Sequence, residues 1–150
     1  MTNILLNGWL PVSHQGNLHS CAANVTADAL EILMGLSGTV VHLSRLFIYY
    51  NARNYHAASQ KDKGTYLRMA FESIKKLGVC PESMWDYVEA NVHQRPPLSA
   101  YKEANANKIT GFYRIESRGE ERLDDIETAI RANHPVAFGT QVGGDFGNYN

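Results

Sequence analysis

The chain has 150 residues, a formal net charge of −1 at pH 7 and 44% hydrophobic residues. That length is sufficient for one domain with a buried core. The near balance of charge and the scattered Lys and Arg residues argue against nucleic acid as a partner. Because no apolar run is long enough to cross a bilayer, a membrane is not expected as a partner either.

The cysteines and the start of the chain favour a reducing compartment. Cys21 and Cys80 are too few for a disulfide framework, and residues 1–10 lack the positively charged segment of a signal peptide. We therefore expect a cytoplasmic protein. A bridge between Cys21 and Cys80 is the less favoured alternative.

The first half of the chain predicts helices. Apolar spacing places them at residues 20–34, 43–54 and 65–77, with a polar loop at 55–63. Ser20 and Ser44 stand where side chains cap the first and second helices. Gly35 and Gly38 end the first helix, and Gly78 ends the third.

The second half mixes short helices with strands. The predicted elements are a helical turn at 81–87, helices at 98–106 and 120–133, and strands at 109–115 and 135–142. A helical part followed by a strand–helix–strand part indicates an α+β fold.

We interpret residues 1–150 as a single domain with two parts. A mainly helical lobe covers about 20–106, and a partial β lobe covers about 107–150. Two strands without further partners leave an exposed β edge, and such edges pair with other chains. The chain is therefore expected to form a homo-oligomer or to bind a partner chain through that edge.

The chemistry is concentrated between Gln15 and Cys21, which are six residues apart. Cys21 falls at the predicted start of a helix, where exposed backbone N–H groups favour a thiolate. The Gln15 side-chain amide can donate to a developing oxyanion, and one such donor typically contributes about 3 kcal/mol. This spacing indicates acyl transfer. The alternative interpretation is an inert buried thiol, which is how most free cysteines occur.

Further segments accompany this motif in a fixed order along the chain. They are residues 10–12, 15–23, 29–31, 43–50, 62–64, 67–71, 78–87 and 135–139. Together they resemble papain-like cysteine peptidases, in particular the compact bacterial and phage-type members. The resemblance implies a papain-like fold, with a helical lobe that carries the nucleophile and an antiparallel barrel-like β lobe.

The resemblance also implies roles for individual residues. Cys21 would be the nucleophile and Gln15 the oxyanion-hole residue, while Gly64 would border the substrate groove. His19 stands where the family usually has Gly, so that it would narrow the cleft. Three other positions depart from the family pattern: His14 replaces an Asp, Leu18 a disulfide-forming Cys, and Ala22 an aromatic residue.

The general base is not evident in the sequence. In this family the His and Asn follow about 130–150 residues after the Cys, which from Cys21 points at or past Asn150, and no histidine follows His134. We therefore expect a chain that is truncated before the base and has little or no peptidase turnover alone. His14 and His19 remain alternatives as the base, with geometry deciding.

Two functions follow from the sequence. The first is a cysteine peptidase that forms a thioester on Cys21, with the His and Asn supplied by other sequence or another chain. The alternative is a non-catalytic papain-like scaffold that binds and inhibits a protein, for example one encoded by a phage. Both predict a protein or peptide partner and no cofactor, and no Cys/His pair has the spacing of a zinc site.

Overall fold

The computed structural model of the chain describes residues 11–54 and 61–140. Its helices are α1 (Cys21–Leu36), α2 (Arg45–Asn54), α3 (Leu67–Leu77), α4 (Leu98–Ala104) and α5 (Gly119–Arg131). Two short 3₁₀ turns, Glu82–Met84 and Glu89–Asn91, lie between α3 and α4. All five predicted helices are thus confirmed, with ends that differ by one or two residues. None of the described helices has the length and apolar content needed to span a bilayer.

Helix α2 forms the centre of the core. Leu46, Phe47, Ile48, Tyr49 and Ala52 are all completely buried, because α2 packs against both α1 and α3. Arg45, Asn51 and Arg53 of the same helix are buried too, so that α2 is enclosed on most of its surface. The first turns of α1 are thereby fixed against the centre of the molecule.

Ser44 and Gly78 act at helix ends as predicted. The Ser44 hydroxyl accepts a hydrogen bond from the Phe47 N–H at 3.2 Å, which is the geometry of an N-cap. Gly78 has φ +77° and donates its N–H to the Ile74 carbonyl at 2.8 Å. A Cβ at Gly78 would also lie 1.7 Å from the Ala104 carbonyl oxygen, so this position requires glycine for space as well as for conformation.

Ser20 does not cap α1 with its side chain, and that prediction was wrong. Ser20 occupies the N-cap position without a side-chain cap hydrogen bond. It is completely buried, and its hydroxyl bonds instead to the Tyr87 phenol at 2.5 Å and to the Asn24 amide at 3.0 Å. A distant phenol and a side-chain amide one helical turn ahead therefore replace the local backbone partner.

The predicted strands are not formed in the described part of the chain. Residues 109–115 and 135–140 carry no strand assignment, and residues 141–142 lie outside the described residues. A strand needs a hydrogen-bonded neighbour, yet these segments are open to solvent: Tyr113 is 98% exposed and Phe138 is 75% exposed. The helical lobe is thus described, whereas the predicted β lobe and its edge are not seen in these residues.

A buried ionic cluster joins α1 to the start of α2. Glu31 is only 2% exposed, and its Oε1 accepts the Leu43 N–H at 2.7 Å and lies 3.4 Å from Arg45 Nη1. Arg45 Nη2 lies 2.8 Å from Asp28 Oδ1. The cluster pairs charges that would be costly to bury alone, although, among the described residues, Glu31 Oε2 and Arg45 Nε have no hydrogen-bond partner.

Candidate active site

Cys21 is the first residue of α1 and carries a free, exposed thiol. The Ala23 and Asn24 N–H groups donate to the Ser20 carbonyl at 2.9 and 3.0 Å, so the first-turn N–H groups without an acceptor in the helix are those of Cys21 and Ala22. Cys80 is also free but buried, so the alternative of a disulfide between the two is not seen. Burial raises the pKa of the Cys80 thiol to about 11. The two cysteines therefore differ sharply in their access to reagents.

Gln15 lies in a tight turn before the nucleophile. Its side-chain Nε2 donates to the Leu18 carbonyl at 3.0 Å, and the Leu18 N–H returns to the Gln15 carbonyl at 3.4 Å. A glutamine amide has two N–H donors, so the bond to Leu18 orients the amide and leaves one donor for another acceptor. The structure thus holds Gln15 in the same short turn that leads to Cys21.

Glu89 fixes the middle of this turn from outside. Its two carboxylate oxygens accept the Asn17 backbone N–H at 3.1 Å and the Asn17 side-chain amide at 3.2 Å. Gly16 between Gln15 and Asn17 has φ +59°, and a Cβ there would lie 1.9 Å from Glu89 Oε1. A side chain at residue 16 would therefore disturb the Glu89 carboxylate.

Tyr87 connects the two ends of the same turn. Its hydroxyl donates to the Gln15 backbone carbonyl at 2.8 Å and lies 2.5 Å from the Ser20 hydroxyl. Burial raises the pKa of the Tyr87 phenol, although hydrogen bonds from Ser20 and Asn24 act in the opposite direction. The phenol therefore keeps its proton at neutral pH and can serve as a donor.

Beside the nucleophile, His19 is held by Asp62. The His19 backbone N–H donates to Asp62 Oδ1 at 3.1 Å, and His19 Nδ1 lies 3.2 Å from Asp62 Oδ2. Burial acts to raise the Asp62 pKa, but the hydrogen bonds from Tyr49 and His19 outweigh it and lower that pKa. Asp62 is therefore a stable anion that orients the imidazole.

The structure brings the two predicted substrate-contacting residues together. Gly64 has φ +82°, and a Cβ there would lie 3.5 Å from the His19 carbonyl oxygen. Its N–H donates to the Tyr49 hydroxyl at 3.1 Å, and the same hydroxyl donates to Asp62. His19, Asp62, Tyr49 and Gly64 thus form one connected group, held together by hydrogen bonds and by the close approach of Gly64 to His19.

Neither histidine of the turn is free at Nδ1. His14 Nδ1 accepts the Gly16 N–H at 3.0 Å, and His19 Nδ1 is bonded to Asp62.

Among the described residues, no cluster of three or more His, Cys, Asp or Glu side chains is arranged to hold a metal ion. The arrangement therefore offers a thiol, an amide donor and a helix N-terminus as its chemical groups.

Sequence reasoning missed Asp62, Tyr87 and Glu89. Each lies in or beside a segment that resembles the family, but no local spacing connects them with the turn before Cys21. Tyr87 and Glu89 are separated from their partners in the turn by 72 positions. These residues reach the turn before Cys21 only through the packing of the folded chain.

A cleft of about 690 Å³ lies close to this network. Its lining includes His14, Arg45, Glu82 and Tyr87, whereas Cys21 does not line it. The cleft therefore contacts the residues that support the turn rather than the nucleophile itself.

Comparison with known proteins identifies relatives. The family described as papain family cysteine protease matches residues 7–150. A curated peptidase C1-like protein of Acanthamoeba polyphaga mimivirus, itself uncharacterized, is 36% identical over 135 residues, which cover 85% of this chain and 43% of that protein.

Solved structures agree with this match. Xylellain, a cysteine protease from Xylella fastidiosa, has a TM-score of 0.74 and 29% identity, over 81% of this chain and 50% of that one. Digestive procathepsin L 3 of the Tenebrio molitor larval midgut shares the fold, with a TM-score of 0.57 and 22% identity over 76% and 36% of the two chains. The chain spans half or less of the length of each of these relatives. The chain belongs to the papain family of cysteine proteases.

Proposed function

We propose that the chain carries the nucleophile half of a cysteine peptidase and that Cys21 attacks peptide carbonyls. The observation that carries this proposal is the exposed, free Cys21 thiol at the first residue of α1. The oriented Gln15 amide in the turn before it supplies the second element of such a site. A thiol at a helix start is stabilised as the nucleophilic thiolate.

The proposed reaction passes through two acyl-transfer steps. The Cys21 sulfur attacks the scissile carbonyl carbon, and the carbonyl electron pair moves to oxygen. The free N–H of the Gln15 amide and the Cys21 backbone N–H donate to that oxyanion. Collapse of the intermediate breaks the C–N bond, and the amine leaves with the proton that the Cys21 thiol gave up to the histidine base before the attack. The thioester that remains on Cys21 is then hydrolysed by water, which regenerates the thiol and releases a carboxylic acid.

His19 and Gly64 are proposed to contact the substrate beside the scissile bond. Gly64 has no side chain, so its backbone can approach an extended peptide closely. His19 has a side chain that is 70% exposed and is oriented by Asp62. Its ring therefore restricts the space that a substrate side chain can occupy next to the nucleophile.

We propose that efficient turnover needs a histidine base, with an orienting Asn, from outside the described residues. The supporting observation is that, within the described residues, neither His14 nor His19 forms a hydrogen bond with Cys21, and the hydrogen bonds of their rings run from Nδ1 to Gly16 and Asp62. A base must reach the thiol proton directly or through one water. On this proposal the described residues support acylation of Cys21 by a reactive acyl donor but only slow peptide hydrolysis.

The test of the nucleophile is acylation by an activated ester. A peptide p-nitrophenyl ester has a good leaving group, so that its reaction requires no general acid. We expect one acyl group on Cys21, located by peptide mass spectrometry, formed faster than on glutathione at the same pH. Cys80 is the internal control and Cys21→Ala the matched variant. Acylation no faster than that of glutathione, or equal labelling of Cys80, would contradict the proposal.

A second candidate function is a protein-binding module with the same fold. It is favoured by a separate observation, the exposure of large apolar side chains in the later part of the chain: Tyr113 (98%), Leu123 (65%) and Phe138 (75%). Such surfaces commonly mark protein interfaces. Light scattering across a concentration series tests association of the chain with itself. A monomer at every concentration would count against the homo-oligomer and leave a different protein as the partner.

A further inference from the structure

One phenol hydroxyl contacts both ends of the turn that carries the proposed site. Tyr87 donates to the Gln15 backbone carbonyl at 2.8 Å and lies 2.5 Å from the hydroxyl of Ser20. Ser20 immediately precedes Cys21. The hydroxyl of Tyr87 therefore spans the distance between the oxyanion donor and the residue before the nucleophile.

The direction of each hydrogen bond in this network follows from its donors. The carbonyl of Gln15 can only accept, so the single phenol proton of Tyr87 points to it. The Ser20 hydroxyl must then donate to Tyr87, and it accepts from Asn24 Nδ2 at 3.0 Å. The result is one continuous series of donors from Asn24 through Ser20 and Tyr87 to Gln15. Because Ser20 is completely buried, its bond with Asn24 is shielded from water, while the two bonds of Tyr87 are partly buried.

The backbone of Tyr87 is itself fixed to the core. Its N–H donates to Glu82 Oε1 at 2.6 Å, and the other oxygen of that carboxylate accepts the Arg45 N–H at 3.3 Å at the start of α2. Two residues after Tyr87, Glu89 binds Asn17 in the turn. The segment 82–91 thus contacts the start of α2 through Glu82 and contacts the turn through Tyr87 and Glu89.

We propose that Tyr87 is a positioning residue that sets the Gln15 amide relative to the Cys21 thiol. This inference rests on the proposed function, since it assigns Tyr87 a role in stabilising the oxyanion of that reaction. Tyr87 does not touch the substrate and acts through Gln15. Displacement of a donor by a fraction of an ångström is enough to reduce catalysis, so loss of the phenol proton leaves the turn with fewer constraints and the amide less well placed.

The test compares two reactions at the same sulfur atom. Acylation by a peptide p-nitrophenyl ester passes through an oxyanion, whereas alkylation by iodoacetamide is a displacement at saturated carbon and forms none. In Tyr87→Phe we expect acylation of Cys21 to fall about 10- to 100-fold, which is part of the 10²–10³ that loss of an oxyanion donor costs. Alkylation should change by less than about twofold, because the helix N-terminus is intact.

A double variant separates positioning from general structural support. If Tyr87 acts through Gln15, Tyr87→Phe has no further effect on acylation once Gln15→Ala has removed the amide. Tyr101→Phe is the matched control, because its phenol also donates to an amide oxygen, here that of the Asn51 side chain (Oδ1), at 2.8 Å. That control should leave both reactions unchanged.

The outcomes are distinct. The inference on Tyr87 is overturned if Tyr87→Phe leaves the ratio of acylation to alkylation rates unchanged. It is also overturned if Tyr87→Phe slows acylation equally in the Gln15→Ala and wild-type backgrounds. In both cases fast acylation of the wild type still supports the proposed function. Wild-type acylation no faster than that of glutathione overturns both. Should Tyr87→Phe fail to fold in thermal unfolding, Ser20→Ala interrupts the same series of hydrogen bonds and is expected to lower the same ratio.

Discussion

At the residue scale, the turn before Cys21 depends on Gly16. Its φ of +59° favours glycine, and a Cβ would come within 1.9 Å of the Glu89 carboxylate. Gly38 provides a contrast within the same chain, because it has φ +83° and no atom within 4 Å of an added Cβ. Both glycines thus have a positive φ, but only at Gly16 would an added Cβ meet another residue, Glu89.

Substitution of these two glycines separates backbone strain from the Glu89 contact. Gly38→Ala should cost about 1 kcal/mol of unfolding free energy through its left-handed backbone alone. Gly16→Ala should cost about 1–3 kcal/mol more, because Glu89 must move and release charge-assisted bonds to Asn17. Urea unfolding measures both. Equal losses, or a slower acylation of Cys21 in Gly38→Ala alone, would contradict this account of the turn.

The site residues differ in how far sequence could predict them. Gln15 and Cys21 are six positions apart, so that their relation is visible along the chain. The contact between Tyr87 and Gln15 joins positions 72 apart and arises only from packing. At Ser20 the local pattern was misleading. Its position is that of a helix cap, but its hydroxyl is hydrogen-bonded to the phenol of Tyr87, which is distant in the sequence.

At the element scale, the junction of α1 and α2 depends on a buried charge. Glu31 in α1 is 2% exposed, accepts the Leu43 N–H before α2 and lies near Arg45 within α2. Removing Glu31 leaves the buried Leu43 N–H without its acceptor and takes one of two carboxylate partners from Arg45, which keeps Asp28. The cluster therefore determines how α1, and with it Cys21, meets the core.

Glu31→Ala should reduce the unfolding free energy by about 3–5 kcal/mol. The matched control is Glu127→Ala in α5, where Glu127 forms an exposed ion pair with Arg131 and its loss should cost at most about 0.5 kcal/mol. Urea unfolding at neutral pH compares the two. Similar losses of unfolding free energy in both variants would show that the buried Glu31 stabilises the fold no more than an exposed ion pair does.

Helices and strands also differed in how well they could be predicted. The spacing of apolar residues in α3, together with Gly78 at its end, is a property of one continuous segment. The segments 109–115 and 135–142 have strand-like composition, but a strand is completed only by a neighbour that no local pattern specifies. Over the described residues these segments have no such neighbour.

At the scale of the whole molecule, Asp62 and Glu82 affect the pH dependence of folding stability in opposite directions, because their pKa values are shifted in opposite directions. Hydrogen bonds from Tyr49 and His19 outweigh the effect of burial and lower the Asp62 pKa, whereas burial raises the Glu82 pKa. A lowered pKa contributes stability above the ordinary value of the group, and that stability is lost as the pH falls through the folded value. A raised pKa has the opposite sign, with its contribution lost as the pH rises.

The Asp62 contribution is isolated by comparison with Asp62→Asn. At pH 6–7 the wild type should be more stable than this variant by about 1–3 kcal/mol, since charge-assisted hydrogen bonds are lost. Below the ordinary carboxyl pKa of 3.8, the difference should shrink because protonated Asp62 resembles the amide. Urea midpoints between pH 2 and 7 measure it. A difference that is constant across this range would contradict the assignment.

The described residues form a helical lobe with the exposed Cys21 at the start of α1, followed by a part in which large apolar side chains are exposed. The chain spans half or less of the length of the relatives that it matches, so its peptidase activity, its partners and its cytoplasmic location stay predictions. The papain-family membership and the helical lobe do not depend on them.

The most direct test of the central claim is the rate of Cys21 acylation divided by the rate of its alkylation, in wild type and in Gln15→Ala. The account predicts that Gln15→Ala lowers this ratio about 10²–10³-fold, because only acylation uses the oxyanion donor. An unchanged ratio would contradict the claim that Gln15 and Cys21 form one acyl-transfer site.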